Sequence, residues 1–334
     1  MSGRWQRWVR FVSHREPDTP MALFRVAVGL VILYTHGMML WTGGVVLWEH
    51  RDWGGIYPLG SKQWLLTLLG GPIPPVVYGL ITAAIISACT LTVGLFGRLS
   101  ALVCLQVSMA LFSLLPAAGG GHDRLITNAL FILVLAGATT TLSLDARIRT
   151  GRWCSSTPVP AWPRYVLWFQ LCLVYGITGV HKLGSSWFPW GGYSAVYYTL
   201  LTPSWTRYDF ASAAWVAWLH PLTQVGTAVS WLWEVSFPVV LLWAWWKHTA
   251  GRGGWLRRFA QRVDLRVPYA LIGLVMHGSL LVLLDLGPFS LITLSFYIPM
   301  WHHDELVQRW PWLGADAPSE TASSTPLGQS KTLT

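Results

Sequence analysis

An all-α, polytopic transmembrane helical bundle of about eight spans, with both termini in the cytoplasm, is the fold class this sequence predicts, and three observations predict it. Of 334 residues, 53% are hydrophobic and 11% charged, against about 25% charged in ordinary soluble domains. That leaves too few charges to cover a water-facing surface. Apolar runs of about 18 to 22 residues recur, each long enough to cross roughly 30 Å of hydrocarbon. The basic residues crowd into every second connection.

In order, the spans read at residues 21–41, 75–96, 99–117, 125–142, 165–182, 223–246, 267–286 and 288–301. Residues 63–69 are too few to cross and read as an interfacial or re-entrant helix. A basic segment, residues 1–20, precedes the first span, and a polar tail expected to be disordered, residues 303–334, follows the last; residues 21–302 form the membrane domain. Arg4, Arg7, Arg10 and Arg15 lie before the first span, Arg98 between the second and third, Arg147, Arg149 and Arg152 after the fourth, and Lys247, Arg252, Arg257, Arg258, Arg262 and Arg266 after the sixth. With eight spans these fall on one side, which the positive-inside rule assigns to the cytoplasm of a cell-membrane protein. The net charge of +9 is therefore a topology signal; acidic lipid headgroups, not nucleic acid, are the expected partner. Tryptophans such as Trp41, Trp187, Trp190, Trp245 and Trp301 cluster near the span ends, as in an interfacial belt. Cys89, Cys104, Cys154 and Cys172 have neither CxxC nor zinc spacing, so free thiols are expected and no metal site is indicated.

Within the spans the polar residues are few and periodic. The first carries Arg25, Gly29, Ile32 and His36 on one helical face; Arg25 is placed to snorkel to the headgroups, while His36 needs a packing role, a hydrogen bond or a wet cavity. The Gly97–Arg98 turn makes the second and third spans an antiparallel hairpin. Pro116 and Gly119–Gly121 break the third, and the next helix starts near His122 and Asp123. Asp123 suits an N-cap or first-turn acid; His122 belongs either to a plain loop or to an outward-facing pocket. Asp145 is expected in surface electrostatics with its basic neighbours.

The fifth span ends in Tyr175–Gly192, YGITGVHKLGSSWFPWGG. Tyr175, Thr178, Gly179 and Lys182 follow at helical spacing, so the amine shares a face with a phenol and a hydroxyl; His181 points about a third of a turn away. Two readings fit Lys182: a snorkelling boundary lysine, or a partly buried amine able to act as a base. The aromatic loop that follows, with a short helix expected at residues 193–201, suits a substrate cover or ordinary membrane-surface packing. In the sixth span Thr223, Thr227, Ser230 and Glu234 draw a polar stripe to about mid-membrane. Glu234 is a functional-site candidate, with interhelical hydrogen bonding as the plainer account. His277 lies near the middle of the seventh span and Asp285 at its outer end.

This ordered series, ALFRVAVG, GLFGRLSAL, GGHDRLITNALF, SLDAR, the GVHKL…W core, EVSFPVVL and MHGSLLVLLDLGPFS, resembles the vitamin K-dependent gamma-carboxylase superfamily, in particular its short bacterial members named after the HTTM domain. The resemblance implies a lysine base that deprotonates a reduced quinone of the vitamin K hydroquinone type, matched here by Lys182, and an assisting histidine, matched by His122. On the enzymatic reading His181 and Glu234 are expected to support that base, and Tyr175, Trp187, His277 and His36 to line the substrate side. In the family the activated quinol takes up oxygen, and the strong base so formed lets a peptidyl glutamate capture carbon dioxide. Two departures bear on this. The family's large β-rich domain after the membrane region is not matched, and His181 replaces the first lysine of the family's pair. The alternative class is a non-catalytic membrane protein that matures, exports or binds a secreted peptide or lipid.

Overall fold

The computed structural model of the protein describes residues 3–56, 63–116, 119–210 and 216–314. Helix α1 (Gly3–Val12) and strand β1 (Arg15–Pro17) lead into α2 (Thr19–Trp41), which is followed by the short α3 (Trp64–Leu68), α4 (Pro74–Val93), α5 (Gly97–Leu114), α6 (Gly121–Ala136) and α7 (Leu144–Thr150). Strand β2 (Pro158–Pro160) pairs antiparallel with β1, Arg15 opposite Pro160; this small ribbon was not foreseen in an all-helical chain. Then come α8 (Trp162–His181), α9 (Ala195–Leu200), α10 (Val216–Ser236), α11 (Val239–His248), α12 (Trp255–Arg262), α13 (Arg266–Leu283), α14 (Phe289–Ser295) and α15 (His303–Arg309).

Each predicted span thus contains a helix, but they differ in reach. Thr19–Trp41, Pro74–Val93, Gly97–Leu114 and Arg266–Leu283 are each long and apolar enough to cross a membrane. Trp218–Ser236 and Val239–His248 form a fifth candidate bent by 45°, where Phe237 and Pro238 interrupt the backbone ladder. Helix α6 stops after 16 residues at Gly137, whose φ of 81° leaves the helical region; α14 has seven residues before a 3₁₀ turn, Ile298–Met300. Residues 303–313 are structured, with α15 and a 3₁₀ turn at Pro311–Leu313; the rest of the expected tail, from residue 315, lies outside the described residues.

The core runs through α2, α4, α5, α6, α8, α10 and α14, with Phe24, Ile32, Leu133, Leu167, Phe237 and Phe296 fully buried. Small residues let the helices close up: a Cβ on Gly29 of α2 would lie 2.2 Å from the Thr92 hydroxyl of α4.

One end of the bundle is held by buried arginines. Arg25 does not snorkel; it is fully buried, and its guanidinium donates to the carbonyls of Leu91, Thr92, Ala138 and Leu142. These acceptors are carbonyls at the end of α4 and in the turns after α6, so the cation closes two chain ends at once. Gly94 makes room for it, since its φ of 72° suits glycine and a Cβ there would sit 2.6 Å from the guanidinium. Arg164 pairs with Glu16 and donates to Pro299 O, while Arg266 pairs with Asp264 and Glu305 and donates to Met300 O. Asp145 is turned inward too, accepting from the backbone N–H groups of Phe96 and Gly97 at the start of α5, an N-terminal cap instead of a surface partner for the arginines.

Candidate functional site

At the far end of α8 from Arg164, glycines set the geometry. A Cβ on Gly176 would lie 2.7 Å from Pro238 Cγ, and one on Gly179 would lie 2.6 Å from the backbone nitrogen of Val235. Only glycine lets α8 and α10 approach this closely, and the approach delivers Glu234 of α10 to the end of α8. Lys182, the C-cap residue of α8, places its Nζ 2.6 Å from Glu234 Oε2. The Lys182 side chain is 21% exposed and that of Glu234 8%, so the amine is neither spread among headgroups nor sealed from the outside. The Thr178 hydroxyl, on the same helical face, donates to the carbonyls of Val174 and Tyr175, 2.8 and 3.0 Å away. Across the amine, in a 3₁₀ turn at Ser185–Trp187, the Trp187 ring centroid is 4.1 Å from Nζ, a cation–π contact that screens it from solvent.

Below this pair, toward the middle of the bundle, lies a second polar group. The Tyr175 hydroxyl is 2.7 Å from His277 Nε2 and 2.8 Å from the Tyr297 hydroxyl, and His277 Nδ1 is 3.4 Å from Ser290 Oγ. Three segments, α8, α13 and the turn after α14, meet at this one phenol. Its ring packs against Trp233 and Phe237, centroids 4.4 and 4.7 Å away, and Trp233 is the chain neighbour of Glu234. The tyrosine therefore anchors the stretch of α10 that presents the carboxylate.

His122 and His36 form a third group. His122 Nε2 is 3.1 Å from Asp123 Oδ1, and Asp123 also accepts from Gly120 N–H at the start of α6, the helix-start role its position suggested. The Phe112 ring stands edge-on to His122 and stacks on His36, centroids 6.4 and 5.9 Å away. His36 is fully buried and meets Ser108 Oγ at 3.3 Å. Phe289 links this group to the second: its ring is 5.8 Å from that of His277, and a Cβ on Gly121 would lie 3.2 Å from it.

The structure thus joins Lys182, Glu234 and Trp187 in one cluster and Tyr175 with His277 in the next. His122 and His36 stand apart, with no direct contact to Lys182 among the described residues. His181, next to Lys182 in the chain, is exposed. The stripe on α10 divides by task. Thr227 Oγ1 accepts from Val196 N–H and donates to Thr223 O, fixing α9; Ser230 reaches Met276; Glu234 takes the amine. Sequence reasoning missed Tyr297, Ser290 and the aromatic pair Trp233–Phe237. No spacing marks them, because they meet Tyr175 from distant parts of the chain.

Chemically, an ammonium and a carboxylate at 2.6 Å form an ion pair in which each charge offsets the other. Removing either partner of such a buried pair leaves an uncompensated charge, a loss of about 3–5 kcal/mol when burial is complete. Partial exposure of Lys182 lowers that figure and leaves an approach for a proton donor. A cleft of about 390 Å³, lined by Arg98, Gly137, Thr139 and Asp145 among others, lies at the opposite, arginine-rich end and shares no residue with this site.

A family model described as the HTTM domain matches residues 14–247. The matched stretch contains His36, His122, Tyr175, Lys182, Trp187 and Glu234 and stops short of His277. No curated protein and no solved structure matches the chain.

Proposed function

The chain belongs to the HTTM domain family, and from that premise we propose that it is a cell-membrane enzyme whose Lys182–Glu234 pair takes a proton from the phenolic hydroxyl of a reduced quinone, as in the vitamin K-dependent carboxylases. The observation that carries this reading is the 2.6 Å contact between Nζ and Oε2 beneath the Trp187 ring. We place the pair on the extracytoplasmic side of an eight-span bundle with both termini cytoplasmic, since α8 runs about 30 Å from its arginine-bearing start to Lys182.

The residues present suit a quinol. Phe188 and Trp190 stack with centroids 4.6 Å apart, and Phe188 meets Trp231 at 4.9 Å, so flat apolar walls stand close to the pair in sequence and in space. When bound, a quinol would supply the oxidisable ring. The protein would supply the pair: with the Lys182 proton passed to the Glu234 carboxylate, the free amine would take the phenolic proton, and Trp187 would limit water. The segment 183–210 folds back along α10 through Gln224 Nε2–Gly192 O, 2.8 Å, and Tyr197–His220, 4.8 Å between centroids, a cover over the site.

One observation favours the second class, a protein that binds a secreted peptide or lipid: Trp190, Tyr198, Trp205 and Tyr208 on that cover are more than half exposed. The two readings part experimentally. Full-length protein in nanodiscs supplied with a reduced naphthoquinone should consume it, and Lys182→Ala should lower turnover at least about a hundredfold with the fold retained by circular dichroism. Turnover unchanged by Lys182→Ala, or none in the parent protein, removes the enzymatic reading.

A further inference from the structure

We infer that α12 is a binding site for the headgroups of anionic phospholipids. Helix α12 lies in the connection between two helices read as crossing the bilayer, α11 and α13, so it sits at a membrane surface, on the arginine-rich end of the bundle. It is docked firmly. Arg257 donates to Thr249 Oγ1 and Gly253 O, each at 3.0 Å, Gln261 Nε2 donates to Lys247 O at 2.8 Å, Trp243 Nε1 donates to Val263 O at 2.7 Å, and Ala260 is buried.

What the docking leaves outward is ordered by helical spacing. Trp255 and Phe259, four apart, are 69% and 43% exposed, and Arg258 and Arg262, also four apart, are exposed on the adjoining stripe. An aromatic stripe beside a basic one is the pattern of a helix lying in the interface plane, rings among the upper acyl chains and guanidinium groups at the phosphates. The charge balance identifies the partner. Arg164 and Arg266 are matched by Glu16, Asp264 and Glu305. Among the described residues no acid and no hydrogen bond meets the side chains of Arg258, Arg262 or Arg252. Asp264, the next acid along the chain, is already taken by Arg266. The unmatched positive charge beside exposed rings fits a negatively charged headgroup carried on an apolar tail.

The test uses full-length protein in mixed micelles of phosphatidylcholine and phosphatidylglycerol, with bound lipid counted by native mass spectrometry. The parent should retain phosphatidylglycerol preferentially. Arg258→Gln with Arg262→Gln should cut that preference about tenfold or more, each basic residue near the surface being worth roughly fivefold. Arg258→Lys with Arg262→Lys should keep it, which separates lost charge from a damaged fold. No preference in the parent, or a preference that survives the glutamine pair, overturns the assignment. Displacement of the lipid by inorganic phosphate alone would also overturn it, by showing a bare anion site.

Discussion

At the residue scale the account rests on Lys182 and Glu234 needing each other. A double-mutant cycle with Lys182→Met and Glu234→Gln should give a coupling energy of about 1–3 kcal/mol, read from unfolding in mild denaturing detergent; a value within about 0.3 kcal/mol of zero would mean that the contact is incidental. Both residues stood out in the sequence for the same physical reason, since an ionisable group within an apolar run demands a partner or an exit. Their pairing did not stand out. Glu234 lies 52 positions after Lys182, and the helical stripe on α10 showed which way the carboxylate faces but not which helix it faces. Arg25 was misread on similar grounds: position near a span end suggests snorkelling, whereas the carbonyls it meets are supplied by α4 and the turns after α6, which no local pattern reveals.

At the element scale two helix contacts decide the site. Gly179→Ala should push α8 from α10, because the added methyl meets backbone at 2.6 Å and backbone cannot rotate away. We expect a loss of about 1–3 kcal/mol together with weakened Lys182–Glu234 coupling, whereas Gly226→Ala, with open space around it, should leave both unchanged; equal effects at the two glycines would contradict the close-packed seam. At the other end of the bundle, Arg25→Gln strips donors from four carbonyls and should cost at least about 3 kcal/mol, visible as a lower melting temperature. The existence of these helices was legible from apolar runs of spanning length. Their ends were less so. Gly137, the Phe237–Pro238 interruption and the 3₁₀ turn at Ile298–Met300 are settled by packing and capping, so α6 and α14 came out shorter than the hydropathy suggested and the sixth segment came out bent.

At the scale of the whole molecule, the Arg266 cluster ties α15 to the bundle and makes stability depend on acid. Burial alone would raise the Asp264 and Glu305 carboxyls, but the hydrogen bonds and charge of Arg266 outweigh it and hold both below their ordinary values. A carboxyl lowered by folding stabilises above its unfolded value, about 3.9 for Asp and 4.3 for Glu, and that share is lost as pH falls through the folded value. Asp18 pulls the other way, its carboxyl raised by burial against the hydrogen bonds from Thr140. The informative quantity is therefore a difference: melting temperature between about pH 3 and pH 7 should fall on acidification more steeply in the parent than in Arg266→Gln, and parallel curves would deny the cluster that role. The membrane class of the chain was fully legible, being fixed by the shortage of charge, and so was the family, through the order of its motifs. In residues 183–210 the short helix was legible from the sequence, but the packing of the segment along α10 was not, because its contacts with Thr227 and Gln224 are long-range. The central claim, an amine held in an ion pair at the outward mouth of the bundle, is tested most directly by a membrane-impermeant amine reagent applied to each face of sealed vesicles, with modification at Lys182 followed by mass spectrometry. The account predicts slow labelling, only from the face opposite the arginine-rich end, accelerated about tenfold or more by Glu234→Gln; fast labelling of the parent protein, or labelling from the arginine-rich face, would contradict it.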